Sequence, residues 1–242
     1  MEIKTDALML RSIDYKENDQ ILTLFSLEKG KLTASVKGVK KAGAKLKFAA
    51  QPFCFAEYIL AEKSERHTVI QASLIDSFYD LRNNLVKFYS AFAITEFCDA
   101  VLYEGSPSPQ LFILSINALK ELCYNNGSDR AVMIKFLIES LSIAGYEMNF
   151  NCCGKCEQKK ESDLFFDFDG GSIVCGDCKL ATNKKISDNT FKVIKAIINN
   201  NYTENIFDVD GEIRALKLLY VYIYEKTAIE LKALLDLTGL LC

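Results

Sequence analysis

Thr68-Val69-Ile70-Gln71-Ala72-Ser73-Leu74-Ile75-Asp76 runs directly into Ser77-Phe78-Tyr79-Asp80-Leu81-Arg82-Asn83-Asn84-Leu85-Val86-Lys87-Phe88, and the period of the apolar residues changes between the two. Up to Ile75 the β-branched content suits an extended strand. From Phe78 onward, Phe78, Leu81, Leu85, Phe88 and Phe92 recur at spacings of 3, 4, 3 and 4, the stripe of an amphipathic helix expected from Asp76 to about Tyr103. The chain upstream of this junction reads as strand and the chain downstream as helix, so the junction sets the fold class.

Working upstream, four more strands are expected. They are centred on Ala7-Leu8-Met9-Leu10, Gln20-Ile21-Leu22-Thr23-Leu24-Phe25-Ser26, Leu32-Thr33-Ala34-Ser35-Val36-Lys37 and Phe53-Cys54-Phe55-Ala56-Glu57-Tyr58-Ile59-Leu60. Polar or Gly-bearing turns separate them, at Glu28-Lys29-Gly30-Lys31 and at Glu62-Lys63-Ser64-Glu65-Arg66, and a longer loop spans Gly38 to Lys45. Five short strands without room for crossover helices argue for an antiparallel sheet or small barrel, and an OB-type barrel has this strand count and length.

Downstream, Gly105-Ser106-Pro107-Ser108-Pro109 breaks the first helix. A second carries Leu111, Leu114, Ala118 and Leu122, and a third Ile134, Leu137, Leu141 and Ala144. Ser187 caps a fourth with Phe191, Ile194, Ile197 and Ile198, and Ile213, Leu216, Tyr220 and Ile223 mark a fifth. The expected architecture is a multidomain β + α chain. An N-terminal barrel domain spans residues 1–77, and a helical domain spans 78–242 with an insert at about 150–182.

That insert holds the most specific motif. Cys153-Gly154-Lys155-Cys156 is followed, 18 residues later, by Cys175-Gly176-Asp177-Cys178. Each two-residue gap lets a tight turn aim two thiolates at one ion, and two such pairs complete the tetrahedron that zinc takes. Gly154 and Gly176 suit the turns if they adopt positive φ. Leu164 to Val174 reads as the hairpin of a ribbon- or knuckle-like module. Four thiolates leave no open position for water, so such a zinc is structural. A redox pair needs no second CxxC partner, and an iron–sulfur cluster typically uses other spacings. Cys152 is an alternative first ligand to Cys153. Cys54, Cys98 and Cys123 fall singly in apolar stretches, where they read as buried hydrophobes, and Cys242 is terminal.

The chain has 242 residues, half of them apolar and a quarter charged, the profile of a folded globular protein. No apolar run approaches the roughly 18 to 20 residues of a membrane span, and the first residues do not form a secretory signal, so a cytoplasmic location is expected. The net charge of −3 conceals an asymmetry, since seven lysines and no acid lie between Lys29 and Lys47. Lys37, Lys40, Lys41, Lys45 and Lys47 crowd the Gly-bearing loop, where ammonium groups can neutralise phosphates with little sequence readout. The single histidine, His67, sits beside Arg66 and reads as a surface residue. No phosphate-cradling GxxxxGK[ST], no GxGxxG and no nucleophile with a local base is present, which argues against an enzyme and a small-molecule substrate.

Several stretches, taken in order, resemble the RecO family of bacterial recombination mediators. They are Asp6-Ala7-Leu8-Met9-Leu10-Arg11, Tyr15-Lys16-Glu17-Asn18-Asp19, Thr23-Leu24-Phe25, Glu28-Lys29-Gly30-Lys31-Leu32, Lys37-Gly38-Val39-Lys40-Lys41, Leu46-Lys47, Gln51-Pro52-Phe53 and Phe78-Tyr79-Asp80-Leu81-Arg82. The four-cysteine insert falls where zinc-bearing members of that family have theirs. The resemblance implies an OB-fold followed by a helical domain with the zinc module. It implies binding of single- and double-stranded DNA, annealing of complementary strands, and help in loading recombinase onto strands coated by single-stranded-DNA-binding protein. The implied partners are RecR and the acidic C-terminal tail of that coating protein, and the implied location is the nucleoid. Arg11 joins Lys37, Lys40, Lys41, Lys45 and Lys47 as an expected DNA contact, and Cys153, Cys156, Cys175 and Cys178 are the expected ligands of one zinc ion. Glu157 follows Cys156 where the family often has glycine, which keeps the choice between Cys152 and Cys153 open. A zinc-ribbon OB protein that binds RNA or acts in transcription is the alternative reading, and a purely structural scaffold is a third.

Overall fold

The computed structural model describes residues 2–64, 66–202 and 208–239. The expectations for Glu65 and Cys242 lie outside the described residues. The chain divides into two compact units, Met1–Tyr124 and Asn125–Cys242.

The first unit opens with β1 (Glu2–Tyr15), β2 (Asp19–Ser26), β3 (Gly30–Val36), β4 (Phe55–Lys63) and β5 (Arg66–Asp76). They form a closed barrel in the order β1-β2-β3-β5-β4, the OB-fold expected from the strand count. Every pairing is antiparallel except the closing one, where β3 meets β5 in parallel through Ala34 with His67 and Ser35 with Thr68. Alternation sends Leu22, Leu24, Leu32, Ala34, Val36, Leu60 and Val69 inward, and Tyr58 fills the centre. The Tyr58 hydroxyl donates to the Ala49 carbonyl at 3.0 Å, so its burial leaves no polar group unmatched. Ala49 belongs to a 3-10 turn, Lys47–Ala50, in a segment the sequence reading left without structure.

A bulge between Met9 and Arg11 changes which side of β1 faces the core. Ahead of it, Ala7 and Met9 point inward. Beyond it, Ser12 pairs with core-facing Leu22, so Arg11, Ile13 and Tyr15 stand on the outer face.

The helix expected to begin at Asp76 begins later. Tyr79–Asn83 is a 3-10 turn, and α1 spans Leu85–Val101. Two local features cause the delay. Phe78 takes a left-handed backbone (φ 45°), and Arg82 binds the carbonyls of Ser77, Phe78 and Pro52 at 3.0, 3.2 and 2.5 Å. Asn84 is extended and starts the helix afresh, its side chain accepting from the backbone N–H groups of Val86 and Lys87. Pro109, read as part of a break, is instead the first residue of α2 (Pro109–Tyr124), where its missing N–H costs no hydrogen bond. Phe25 packs edge-on against Phe112 of α2, and Phe53 against Phe92 of α1, with ring centroids 5.2 and 4.8 Å apart.

The second unit contains α3 (Asp129–Ile143), α4 (Asp188–Ile198), α5 (Val209–Thr227) and α6 (Lys232–Gly239). Ser128 and Ser187 cap α3 and α4, accepting from the N–H groups of Ala131 and Thr190. Between α3 and α4 lies a small sheet of β6 (Leu164–Asp167), β7 (Ser172–Cys175) and β8 (Lys184–Ile186), in the order β7-β6-β8. The hairpin was expected, whereas β8 and α6 were not. Glu212 of α5 is 1% exposed, and its carboxylate accepts from the Ser128 and Tyr202 hydroxyls at 2.5 and 2.8 Å. Arg130 lies 3.5 Å from its second oxygen, so this buried charge is matched.

Candidate metal centre and nucleic-acid interface

The Sγ atoms of Cys153, Cys156, Cys175 and Cys178 lie within 4.8 Å of one another, an arrangement that could hold a metal ion. Cys156 and Cys175 are 3.9 Å apart, close to the roughly 3.8 Å edge of a tetrahedron with metal–sulfur bonds of about 2.3 Å. Cys175 ends β7, which fixes its direction, and the Cys178 N–H donates to the Cys175 carbonyl at 3.0 Å to close one knuckle. In the other knuckle the Glu157 N–H reaches the Cys153 carbonyl at 2.8 Å. Cys152 stands outside the group, its sulfur 3.6 Å from the Asn149 side-chain amide.

The glycines of the two knuckles act differently from expectation. Neither Gly154 nor Gly176 has positive φ, and the left-handed residue in this turn is Glu157 (φ 60°). What the glycines supply is space. A Cβ at Gly154 would strike the Ser172 hydroxyl, and one at Gly176 the Asp163 carboxylate.

The thiols titrate unequally. Burial opposes ionisation of Cys153, but backbone N–H groups of Cys156, Cys175 and Lys155 outweigh it and bring this thiol down to about 6. Hydrogen bonds with Cys175 and Cys156 push Cys178 up to about 12. The isolated cysteines are different. Burial pushes Cys54 up to about 11 and Cys98 up to about 12, as expected of inert core residues.

In the first unit, the lysine loop is built rather than slack. Val39 is buried, and the Gly38 N–H donates to Asp19 Oδ1 at 2.7 Å while the Lys40 N–H donates to the Asn18 carbonyl at 3.1 Å. Gly38 itself has φ 65°, which glycine adopts without strain. These bonds dock the loop on the β1–β2 turn. Successive turns at Lys41, Ala44 and Lys47 then leave Lys37, Lys41, Lys45 and Lys47 exposed, with no ion-pair partner among the described residues.

The remaining expected contacts are partly engaged. Lys40 Nζ is 2.7 Å from Asp14 Oδ2, and this bond, with one from Gln20, holds the Asp14 carboxyl below its ordinary value. Arg11 Nε is 3.2 Å from Asp99 Oδ2 and stays largely exposed. Lys31, one of the seven lysines, is only 18% exposed and binds the Asp99 backbone carbonyl at 2.6 Å, so it belongs to the packing of α1 on the barrel. Lys16 is not among the contacts expected from sequence. It shares a shallow pocket of about 460 Å³ with Glu17, Asn18, Asp19, Lys37, Gly38 and Lys41. Its neighbourhood follows from strand register, which brings residues 16–19 against residues 37–41 across β2.

The family model "Recombination protein O N terminal" matches residues 1–78, and "Recombination protein O C terminal" matches residues 82–235. Among similar proteins, the DNA repair protein RecO of Desulforamulus reducens is 32% identical over 197 residues, covering 80% of this chain and 76% of the relative. That of Acetivibrio thermocellus is 29% identical over 211 residues, covering 86% and 83%. That of Bacillus pumilus is 32% identical over 182 residues, covering 74% and 69%. The chain belongs to the RecO family, and its role lies in DNA repair and recombination rather than in catalysing a reaction.

Proposed function

We propose that the protein is a recombination mediator that binds single- and double-stranded DNA, anneals complementary strands and helps recombinase load onto strands coated by single-stranded-DNA-binding protein. The observation that carries this reading is the docked loop with its exposed Lys37, Lys41, Lys45 and Lys47, none of them ion-paired among the described residues, on an OB barrel of a RecO family member. Lysines are point charges on flexible stems, which suit phosphates at variable spacing better than base edges. The division of labour we propose gives DNA contact to residues 1–77, with Arg11 and Lys40 at its margin, and the zinc insert at about 150–182 to the helical domain of 78–242. RecR and the acidic tail of the coating protein are the proposed partners. Among the described residues no helix is long and apolar enough to cross a membrane, in keeping with a cytoplasmic, nucleoid-associated role.

We further propose that the metal is one structural zinc held by Cys153, Cys156, Cys175 and Cys178. The donor set fits, with four sulfurs within 4.8 Å of one another and Cys152 outside the group. Bound zinc would cross-link the two knuckles and supply folding energy to the insert.

The test is the salt dependence of binding. If about three to five lysines meet phosphates, log K on single strands falls against log salt with a slope of roughly −2 to −4. A flat salt response would overturn the phosphate-contact reading. Tighter binding to RNA than to DNA of the same sequence would favour the RNA or transcription alternative.

A further inference from the structure

The outer face of the barrel carries two exposed apolar side chains, Ile13 and Tyr15, that the lysine loop does not account for. Ile13 pairs with Ile21, Ile21 with Ser35 and Ser35 with Thr68, so one register line crosses β1, β2, β3 and β5. Ser35 and Thr68 close the line with hydroxyls 3.1 Å apart. Ile13 is 48% exposed, and Tyr15, two residues on along β1 on the same face, is 45% exposed. The two side chains occupy successive same-face positions of β1, both about half exposed.

The charges around it are arranged asymmetrically. At the loop end, Lys16 lies over the Tyr15 ring, its Nζ 5.2 Å from the centroid. Lys37 and Lys41 line the adjoining pocket, together with Glu17 and with Asp19, whose carboxylate is engaged by the Gly38 N–H. Asp14 is covered by Lys40. At the helix end, the next line is Arg11, Thr23 and Thr33, and there Asp99 takes Arg11 while Glu104 accepts from Thr33 at 3.0 Å. The lysine end therefore attracts a polyanion more strongly than the other, where Arg11 and Lys31 are already paired with Asp99. Lys16 lines the same pocket as Lys37 and Lys41 and also lies over the Tyr15 ring, which puts the ring beside the lysines proposed to bind phosphate.

We infer that Tyr15, backed by Ile13, is a base-stacking platform that selects unstacked single strands over duplex. This rests on the phosphate-binding reading of the lysine loop and deepens it by naming what distinguishes the ligand. Lysines alone read charge and accept either form, whereas a ring can stack only on a base that is free of its own neighbours. The β1 bulge is what brings the residue to this position, since without it Tyr15 would face the barrel interior.

The experiment compares oligothymidylate with an abasic oligomer of equal length and charge, binding to the full chain and to its Tyr15→Ala and Tyr15→Phe variants. The native chain should hold the base-bearing strand roughly 5- to 150-fold tighter than the abasic one. Tyr15→Ala should remove that gap while leaving abasic and duplex affinity and the salt slope unchanged. Tyr15→Phe should keep it, because the stacking face remains. Both variants should fold, as the side chain is half exposed. Equal affinity of the native chain for the two oligomers overturns the inference but leaves the lysine reading standing, as does a gap that survives Tyr15→Ala. Failure of the native chain to bind either oligomer overturns the lysine reading and this inference together.

Discussion

Gly154 has the Ser172 hydroxyl where its Cβ would stand, and Gly127 has nothing within 4 Å of that position. The two positions make a matched test of the space argument. Gly154→Ala must push Ser172 away from the knuckle and should cost about 1–3 kcal/mol, as overpacked sites do. Gly127→Ala should be near neutral. Urea unfolding of zinc-loaded protein measures both, and equal effects would refute the crowding argument. The cysteines carry a second residue-scale prediction. Cys153 is depressed to about 6 while Cys156 and Cys178 are raised, so near neutral pH the first is thiolate and the other two hold protons. Binding a metal displaces those protons, so affinity must rise with pH. At least two protons leave, giving about a 100-fold gain per unit between pH 6.5 and 8. Competition with a chromophoric chelator at several pH values checks it, and an affinity that falls with pH would contradict the four-thiolate site.

Among the elements, the lysine loop is the one whose prediction changes once its bonds are known. Sequence alone makes Lys40, Lys41 and Lys45 equivalent, but Lys40 is tied to Asp14, whereas Lys37 has no ion-pair partner among the described residues. Replacing Lys37, Lys41 and Lys45 with alanine should flatten the salt slope on single strands by up to about 2 units. Lys40→Ala alone should change it less. Stability should barely move in the triple variant, since exposed surface substitutions usually change it by less than about 0.5 kcal/mol. The loss should be alike on all sequences, and a loss confined to some of them would mean base readout by the loop.

The same scale shows what the sequence made legible. The five strands followed from alternation and turn residues, and the long helices from their 3.6 period. The start of α1 did not. Phe78 and Leu81 continue the apolar spacing of the helix, yet Arg82 caps three carbonyls and Asn84 renucleates, a choice made by tertiary hydrogen bonds. Strand β8 escaped notice because its three residues, Lys184–Ile186, form a strand only by pairing with β6. The sulfur cluster was visible in spacing alone, whereas the reason for its glycines needed the neighbouring Ser172 and Asp163. Tyr15 was hidden by the bulge, which reverses the facing of β1 without leaving a mark in the alternation.

At the scale of the whole molecule, the two compact units have different sources of stability. The first relies on a closed barrel and buried aromatic contacts, the second on helices and a small sheet beside the four cysteines. Structural zinc contributes on the order of 10 kcal/mol of apparent binding energy, so its removal, or Cys175→Ser, should unfold the insert. Limited proteolysis should then cut between residues 150 and 182 and spare a fragment spanning the first unit, Met1–Tyr124. Metal analysis that finds iron, or no metal, on carefully purified protein would remove zinc from the account.

The measurement that bears most directly on the mediator role is annealing of complementary DNA strands, each coated with single-stranded-DNA-binding protein from the same bacterium. The native chain should accelerate annealing well beyond the rate without it, and the Lys37→Ala, Lys41→Ala and Lys45→Ala triple variant should lose most of that acceleration at physiological salt. Annealing of coated strands no faster with the native chain than without it would contradict the proposed function.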